Sequence, residues 1–246
     1  MSGAYRIRRA AAVLVALVIA GCSGQPSREP ATPAAPAEAA AASGPPIASV
    51  PREGRAFRVD PAQSILVVRV YRGGPLARAG HNHVIASHDL NGFVYVPDDP
   101  LRSTFDIRVP VQTLTVDEDT LRAQEGADFP PNVPEDAREG TRRNMLGASL
   151  LNAERYPGIG LQSENLQRVG DSVVAQVRVI VRNHASSLRV PVSYELRGNV
   201  LRVQGDIAVR QTDLGLTPFS LFGGALRVED EMRVRFRIVA RAESAP

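Results

Sequence analysis

Val200-Leu201-Arg202-Val203-Gln204-Gly205-Asp206-Ile207-Ala208-Val209-Arg210 decides how the rest of the chain is read. Leu201, Val203, Ile207 and Val209 alternate with Arg202, Gln204, Asp206 and Arg210, and a period of two places each set on its own face of a β-strand. One face is apolar and the other carries charge, so the strand has a core on one side and water on the other. Met232, Val234, Phe236, Ile238 and Ala240 repeat the pattern between Arg233, Arg235, Arg237 and Arg241. So do Leu188, Val190, Val192, Tyr194 and Leu196, and likewise Phe105, Ile107, Val109 and Val111.

Val173 to Arg182 is apolar on both sides, which predicts the most covered strand. Turn residues separate these runs at Val169-Gly170-Asp171, Arg182-Asn183-His184 and Arg197-Gly198-Asn199. Connections this short join antiparallel neighbours into a meander. With Ser64 to Tyr71, a run within Val84 to Val96, and Ile159 to Asn165, the total is about eight strands, enough for a two-sheet sandwich or a closed barrel. Closure removes the exposed edges. Val116 to Pro157 breaks the pattern: Asp117-Glu118-Asp119 and Pro134-Glu135-Asp136 are helix-start signals, the second for a helix reaching about Leu151. The fold class expected from the residues is all-β, eight antiparallel strands as a sandwich or a barrel with a short helical insertion capping one end; the resemblance drawn below selects the antiparallel eight-stranded barrel.

The amino-terminal part has another character. Arg6, Arg8 and Arg9 precede an apolar run from Ala10 to Ala20, which is shorter than the roughly twenty residues a membrane-spanning helix needs. Residues 1–21 are therefore expected to be a signal peptide. Ile19-Ala20-Gly21-Cys22 resembles the lipobox of bacterial lipoproteins, which implies a lipid anchor on Cys22, the only cysteine. With Ser23 next, the resemblance implies a protein in the periplasm held at the outer membrane. Residues 22–54 are rich in Ala, Pro and Ser and predict a disordered tether. Residues 55–243 form the expected domain, which without a second thiol relies on its core.

Three of the 29 basic residues and none of the 26 acidic ones lie within residues 1–21, which leaves 26 of each elsewhere. A balanced domain with no basic tract has no electrostatic footprint for nucleic acid. Metalloprotease, thiol-redox, nucleophile-elbow and phosphate-loop signatures are lacking, and the acidic clusters Asp98-Asp99, Asp117-Glu118-Asp119 and Glu229-Asp230-Glu231 read as solvated turns.

Two polar or unusual features remain. On a strand His81 and His83 share a face, where they either bind one transition metal or hydrogen-bond a loop and line the polar rim of a cavity. His88 has the opposite parity and His184 lies in a turn. The loop Thr217 to Leu226, with Phe219 and Phe222, is greasier than loops usually are, which fits a contact surface, a lid, or a loop folded onto its own core.

Four segments then appear in one order: Phe57-Arg58-Val59-Asp60-Pro61 before the first strand; His81 followed by Asn91-Gly92-Phe93; Leu150-Leu151-Asn152 through Tyr156-Pro157 into Ile159-Gly160-Leu161-Gln162-Ser163; and Arg210-Gln211-Thr212-Asp213-Leu214-Gly215-Leu216. Together they resemble the YceI family of exported bacterial proteins. That resemblance implies a lipocalin-like barrel whose apolar interior holds a long isoprenoid or fatty-acyl chain, with no catalysis and no cofactor. On this reading Val177, Val179, Val190, Val192, Leu201, Val203, Val234, Phe236 and Ile238 line the cavity, and His81, His83, Phe219 and Phe222 meet the head group at its rim. The alternatives are a metal-binding protein or metalloenzyme on His81 and His83, and a structural lipoprotein whose barrel is filled by its own side chains. His81-Asn82-His83 stands where the family pattern has one histidine, and Ala127 to Asn144 is longer than usual.

Overall fold

The computed structural model describes residues 50–243. The signal peptide, Cys22 and most of the tether lie outside the described residues. Pro51 to Gly54, read above with the tether, lie against the domain: Glu53 pairs with Arg102 at 2.8 Å and the Thr104 hydroxyl donates to the Pro51 carbonyl.

The strands are β1 (Arg55–Val59), β2 (Ile65–Gly73), β3 (His83–Ser87), β4 (Asn91–Val96), β5 (Thr104–Pro110), β6 (Thr115–Val116), β7 (Gly158–Val169), β8 (Ser172–Val181), β9 (His184–Arg197), β10 (Val200–Arg210), β11 (Ser220–Leu221) and β12 (Leu226–Ala242). Eight of them close an antiparallel circuit in the order β1, β4, β5, β7, β8, β9, β10, β12, with β12 returning to β1. Val200 to Arg210 runs beside Arg241 to Glu231 in unbroken register, so the two clearest alternating stretches are neighbours with their apolar sets on the same face.

The count of eight holds, but the first two runs are constructed differently. Phe57 to Val59, placed by sequence ahead of the first strand, is itself β1. β1 and β2 lie end to end along the same side of β12, Phe57 opposite Ala242 and Ile65 opposite Arg237. Asp60-Pro61 interrupts them: the Asp60 carboxylate accepts the Ala62 N–H and Pro61 enters a short 3-10 turn. β3 and β4 are likewise two pieces, parted at His88 to Leu90. β2, β3 and β6 pair with one another as a leaf that leaves the circuit.

Both faces of this leaf are covered. Leu66 and Val68 face the barrel, while Val67 and Val84 face outward and are buried under Phe129 and Leu121 from the insertion. β8 is two-sided as expected, with Val174 and Ile180 buried opposite Ala175, Val177 and Val179.

The insertion holds two helices, α1 (Asp119–Arg122) and α2 (Glu135–Leu146). α2 ends at Gly147 rather than near Leu151; the backbone turns there, and the Ala153 and Leu151 N–H groups reach back to the carbonyls of Leu146 and Met145. The two ends of the barrel therefore differ. One carries the tight turns at Gly170 and Gly198 with the Asp98-Asp99 turn. The other carries the long connections 74–82, 111–157 and 211–225.

Candidate functional site

The inward faces enclose a cavity of about 440 Å³, within the range of ligand-binding pockets. Its wall contains all nine side chains expected there: Val177, Val179, Val190, Val192, Leu201, Val203, Val234, Phe236 and Ile238. Most of the remaining wall is also aliphatic, including Val173, Ala175, Ile207 and Val209. Gly205 has inward parity but no side chain, and the Phe236 ring, its cross-strand partner, occupies that space; a Cβ on Gly205 would lie 2.7 Å from the ring.

Polarity is confined almost entirely to the end with long connections. Arg72, His81, His83, Thr141, Asn144, Gln211 and Arg227 line the cavity there, while toward the tight turns the wall is Pro100, Leu101, Ser103, Leu166, Tyr194 and Leu196. α2 supplies Thr141 and Asn144 from consecutive positions on one face, three residues apart, so the insertion caps and polarises this mouth.

His81 and His83 stand side by side with ring centroids 6.1 Å apart, but only His83 is on a strand. His83 is engaged at both nitrogens: Nδ1 lies 2.6 Å from the Asp117 carboxylate and Nε2 lies 3.2 Å from the Thr141 hydroxyl. Asp117 is the hub of this corner. Fully buried and in the left-handed backbone region at φ 54°, it donates its N–H to the Val84 carbonyl and accepts from the Val84 N–H at 2.9 Å and from Arg122 at 2.5 Å. Burial opposes its charge, yet the hydrogen bonds from His83 and Val84 and the charge of Arg122 hold its carboxyl below the usual aspartate value. Arg122, 1% exposed, also donates to the carbonyls of Pro130 and Asn82, and stitches the insertion to the approach of β3.

Burial, reinforced by the charges of His83, Arg122 and Arg72, pushes His81 below the ordinary histidine value, so this wall residue favours its neutral form. His88 pairs instead with Glu118 at 2.9 Å, and His184 packs against Gly215. The four histidines do not converge. Among the described residues no group of three or more His, Cys, Asp or Glu is arranged for a metal ion.

Several expectations are corrected here. Asp117 is no solvated turn residue, whereas its neighbour Asp119 is exposed. Glu229-Asp230-Glu231 lies at the irregularity between β12 and β2, where the carbonyls of Glu229 and Asp230 hold Gln211 and the Asp230 carboxylate holds Thr212. Phe219 lines the cavity, but Phe222 does not and projects into solvent at 77% exposure. Thr141, Asn144 and Gln211 were missed because single polar residues on a helix and in a turn carry no periodic signal, and Arg72 because it ends the inward set Leu66, Val68 and Val70 of β2 with a charge.

Residues 57–240 match the family model described as YceI-like domain. Among solved structures, Burkholderia cenocepacia BcnA is similar with a TM-score of 0.54 and 13% identity, over 74% of this chain and 98% of that one. A polyisoprenoid binding domain from Saccharophagus degradans, described as implicated in plant cell wall breakdown, gives a TM-score of 0.49 and 12% identity over 77% of this chain and 99% of that one. The Campylobacter jejuni YceI protein gives 0.46 and 6% over 65% and 85%. At such identities the BcnA match speaks for the fold alone. No curated protein matches the chain.

Proposed function

The chain belongs to the YceI-like family, and from that premise we propose that it is a binding or carrier protein for one long apolar molecule, an isoprenoid or fatty-acyl lipid. The observation that carries this reading is the asymmetry of the cavity: a long aliphatic bore with polar side chains gathered at one mouth. A hydrocarbon tail in the bore gains about 0.8 kcal/mol per buried methylene before association costs, which suffices for a lipid without covalent chemistry. A polar head then rests among Arg72, His81, Thr141 and Asn144, where neutral His81 offers one donor and one acceptor.

We further propose that residues 1–21 are removed on export and that lipid on Cys22 holds the domain at a membrane facing the periplasm, the outer membrane by the reading of Ser23. Labelled fatty acid entering the parent but not Cys22→Ser, with the variant released to the soluble fraction, is the expected result. An unlabelled parent would remove the anchor from the proposal.

The ligand is tested by native mass spectrometry of the purified protein, followed by organic extraction and identification of what is released. A stoichiometric isoprenoid or acyl lipid is expected. Protein that carries none and takes up none when such lipids are supplied would overturn the carrier reading and favour the purely structural one.

A further inference from the structure

Beside the polar mouth three large apolar side chains stand exposed among the described residues. Leu76, Leu221 and Phe222 are 48%, 42% and 77% exposed, and none of them lines the cavity. They belong to one feature. The Leu76 N–H donates to the Ala225 carbonyl at 2.8 Å, and Gly74 lies so close that a Cβ there would meet the carbonyls of Ala225 and Gly224. Leu221 pairs across from Leu226, which does line the cavity, as does Phe219 three residues before Phe222. The tip is thus continuous with the mouth.

Holding Phe222 outward is unfavourable twice. A large aromatic ring is left in water, and its backbone sits at φ 52°, a region that bulky residues avoid. Gly223 and Gly224 continue the turn at φ 65° and 92°. Such an arrangement persists when a contact outside the fold uses it.

Charge indicates the kind of contact. Residues 72–82 and 217–228 contain Arg72, Arg78 and Arg227, and the adjoining carboxylate, Glu229, is paired with Arg227 at 3.3 Å, which leaves a net positive charge beside the tip. The opposite end of the barrel also exposes Val169, Tyr194 and Leu196, of which the last two are cavity wall, and its turns mix Asp98, Asp99 and Asp171 with Arg102, Arg168 and Arg197. Apolar side chains with arginine beside them suit the boundary between acyl chains and anionic head groups.

We propose that Leu76, Leu221 and Phe222 form a membrane-contact tip that seats the polar mouth of the barrel on an anionic phospholipid surface. Its purpose rests on the lipid-carrier reading, since it brings the bore against the compartment from which a lipid enters or into which it leaves. Its geometry does not depend on that reading. The contact is separate from any lipid on Cys22.

The chain contains no tryptophan, so one introduced tryptophan reports on one place. Full-chain Phe222→Trp and, at the opposite end, Val169→Trp, an exposed position outside the cavity wall, are mixed with phosphatidylcholine vesicles, with or without phosphatidylglycerol, whose acyl chains carry bromine. Expected is a blue-shifted emission for Phe222→Trp and strong quenching by bromine, greater with phosphatidylglycerol, while Val169→Trp changes little. Emission of Phe222→Trp that stays unquenched although the protein floats with the vesicles overturns the proposal, as does equal quenching of both variants. Extraction of bound lipid from the same samples separates the two readings. Quenching with an empty cavity keeps the tip and sinks the carrier; a filled cavity without quenching does the reverse.

Discussion

The two ends of the barrel are made of different material. At one end β7–β8 and β9–β10 turn within two residues, at Gly170 and Gly198, and among the described residues no polar side chain other than Ser103 and the Tyr194 phenol reaches the cavity there. At the other, three long connections bring in the buried Asp117–Arg122–His83 cluster, the polar mouth and the exposed tip. Tight hairpins fix register and close the wall, whereas long connections are free to carry side chains that the wall has no use for. The difference teaches that recognition is lodged at one end, where apart from the two-residue β8–β9 turn at Arg182-Asn183 the connections are long, while the other end serves closure.

The largest effect that would break this comparison comes from Asp117→Ala, which strands Arg122 as an unpaired buried charge. It is expected to cost about 3–5 kcal/mol, lowering the melting temperature by roughly 10 °C; a melt coincident with the parent would show that the cluster is not what holds this end. Next is the wall shared by both ends. Val203→Arg puts a charge in the apolar bore and is expected to cost roughly 2 kcal/mol or more, while Arg202→Ala, one residue away on the wet face, stays within about 0.5 kcal/mol. Equal denaturation midpoints for the pair would contradict the assignment of faces.

At the tight-turn end Gly198→Ala meets no neighbouring atom and suffers only from its positive φ, so about 1 kcal/mol is expected in urea unfolding. A neutral result would show that this turn shifts freely.

The smallest effect is pH dependence at the long-connection end. His81 is held below its ordinary value of 6.5 and Asp117 below 3.8. Each folded-state value is depressed, so the unfolded chain binds the extra proton; the stability contributed is present above the ordinary value and lost as pH falls through the folded one. Acidification thus weakens this end first below 6.5 and again below 3.8. Between about pH 7.5 and 5.5, His81→Gln is expected to lose less melting temperature than the parent. An identical decline in both would clear His81 of any part in it.

How much of this could be read in advance follows from how local each cause is. The faces of β10, β12 and β9 were legible because alternation is written in consecutive residues. The barrel itself was reached partly through resemblance, since alternation alone also permits a sandwich. The break at Asp60-Pro61 splits what reads as one approach and strand, and neither residue announces that the chain resumes along the same neighbour. The outward burial of Val67 and Val84 depends on Phe129, far along the chain in a segment with no periodicity. Asp117 was misread for the same reason: a carboxylate beside two others at a helix start looks solvated until His83 and Arg122 close on it. Of the site, the aliphatic wall was legible and the polar mouth was not, apart from His81 and His83. For the metal alternative, His81 and His83 do stand side by side, but Nε2 of His83 faces the Thr141 hydroxyl, and among the described residues no third ligand is arranged with them.

One feature of the wall bears on how it behaves. β9 and β10 stay in register only from their hairpin to Ser193 opposite Gln204, then part at Pro191 and Gly205, a residue without an N–H and a residue without a side chain. Beyond that point β9 remains laced to β8 and β10 to β12. Along this stretch the Phe236 ring fills the place of the missing side chain, and no β9–β10 ladder of backbone bonds spans the wall. On the carrier reading proposed above, this seam is where the wall would widen for a thicker tail without tearing a hydrogen bond. Amides of Gly205 to Arg210 that face it are the ones whose hydrogen exchange should slow when a tail fills the bore.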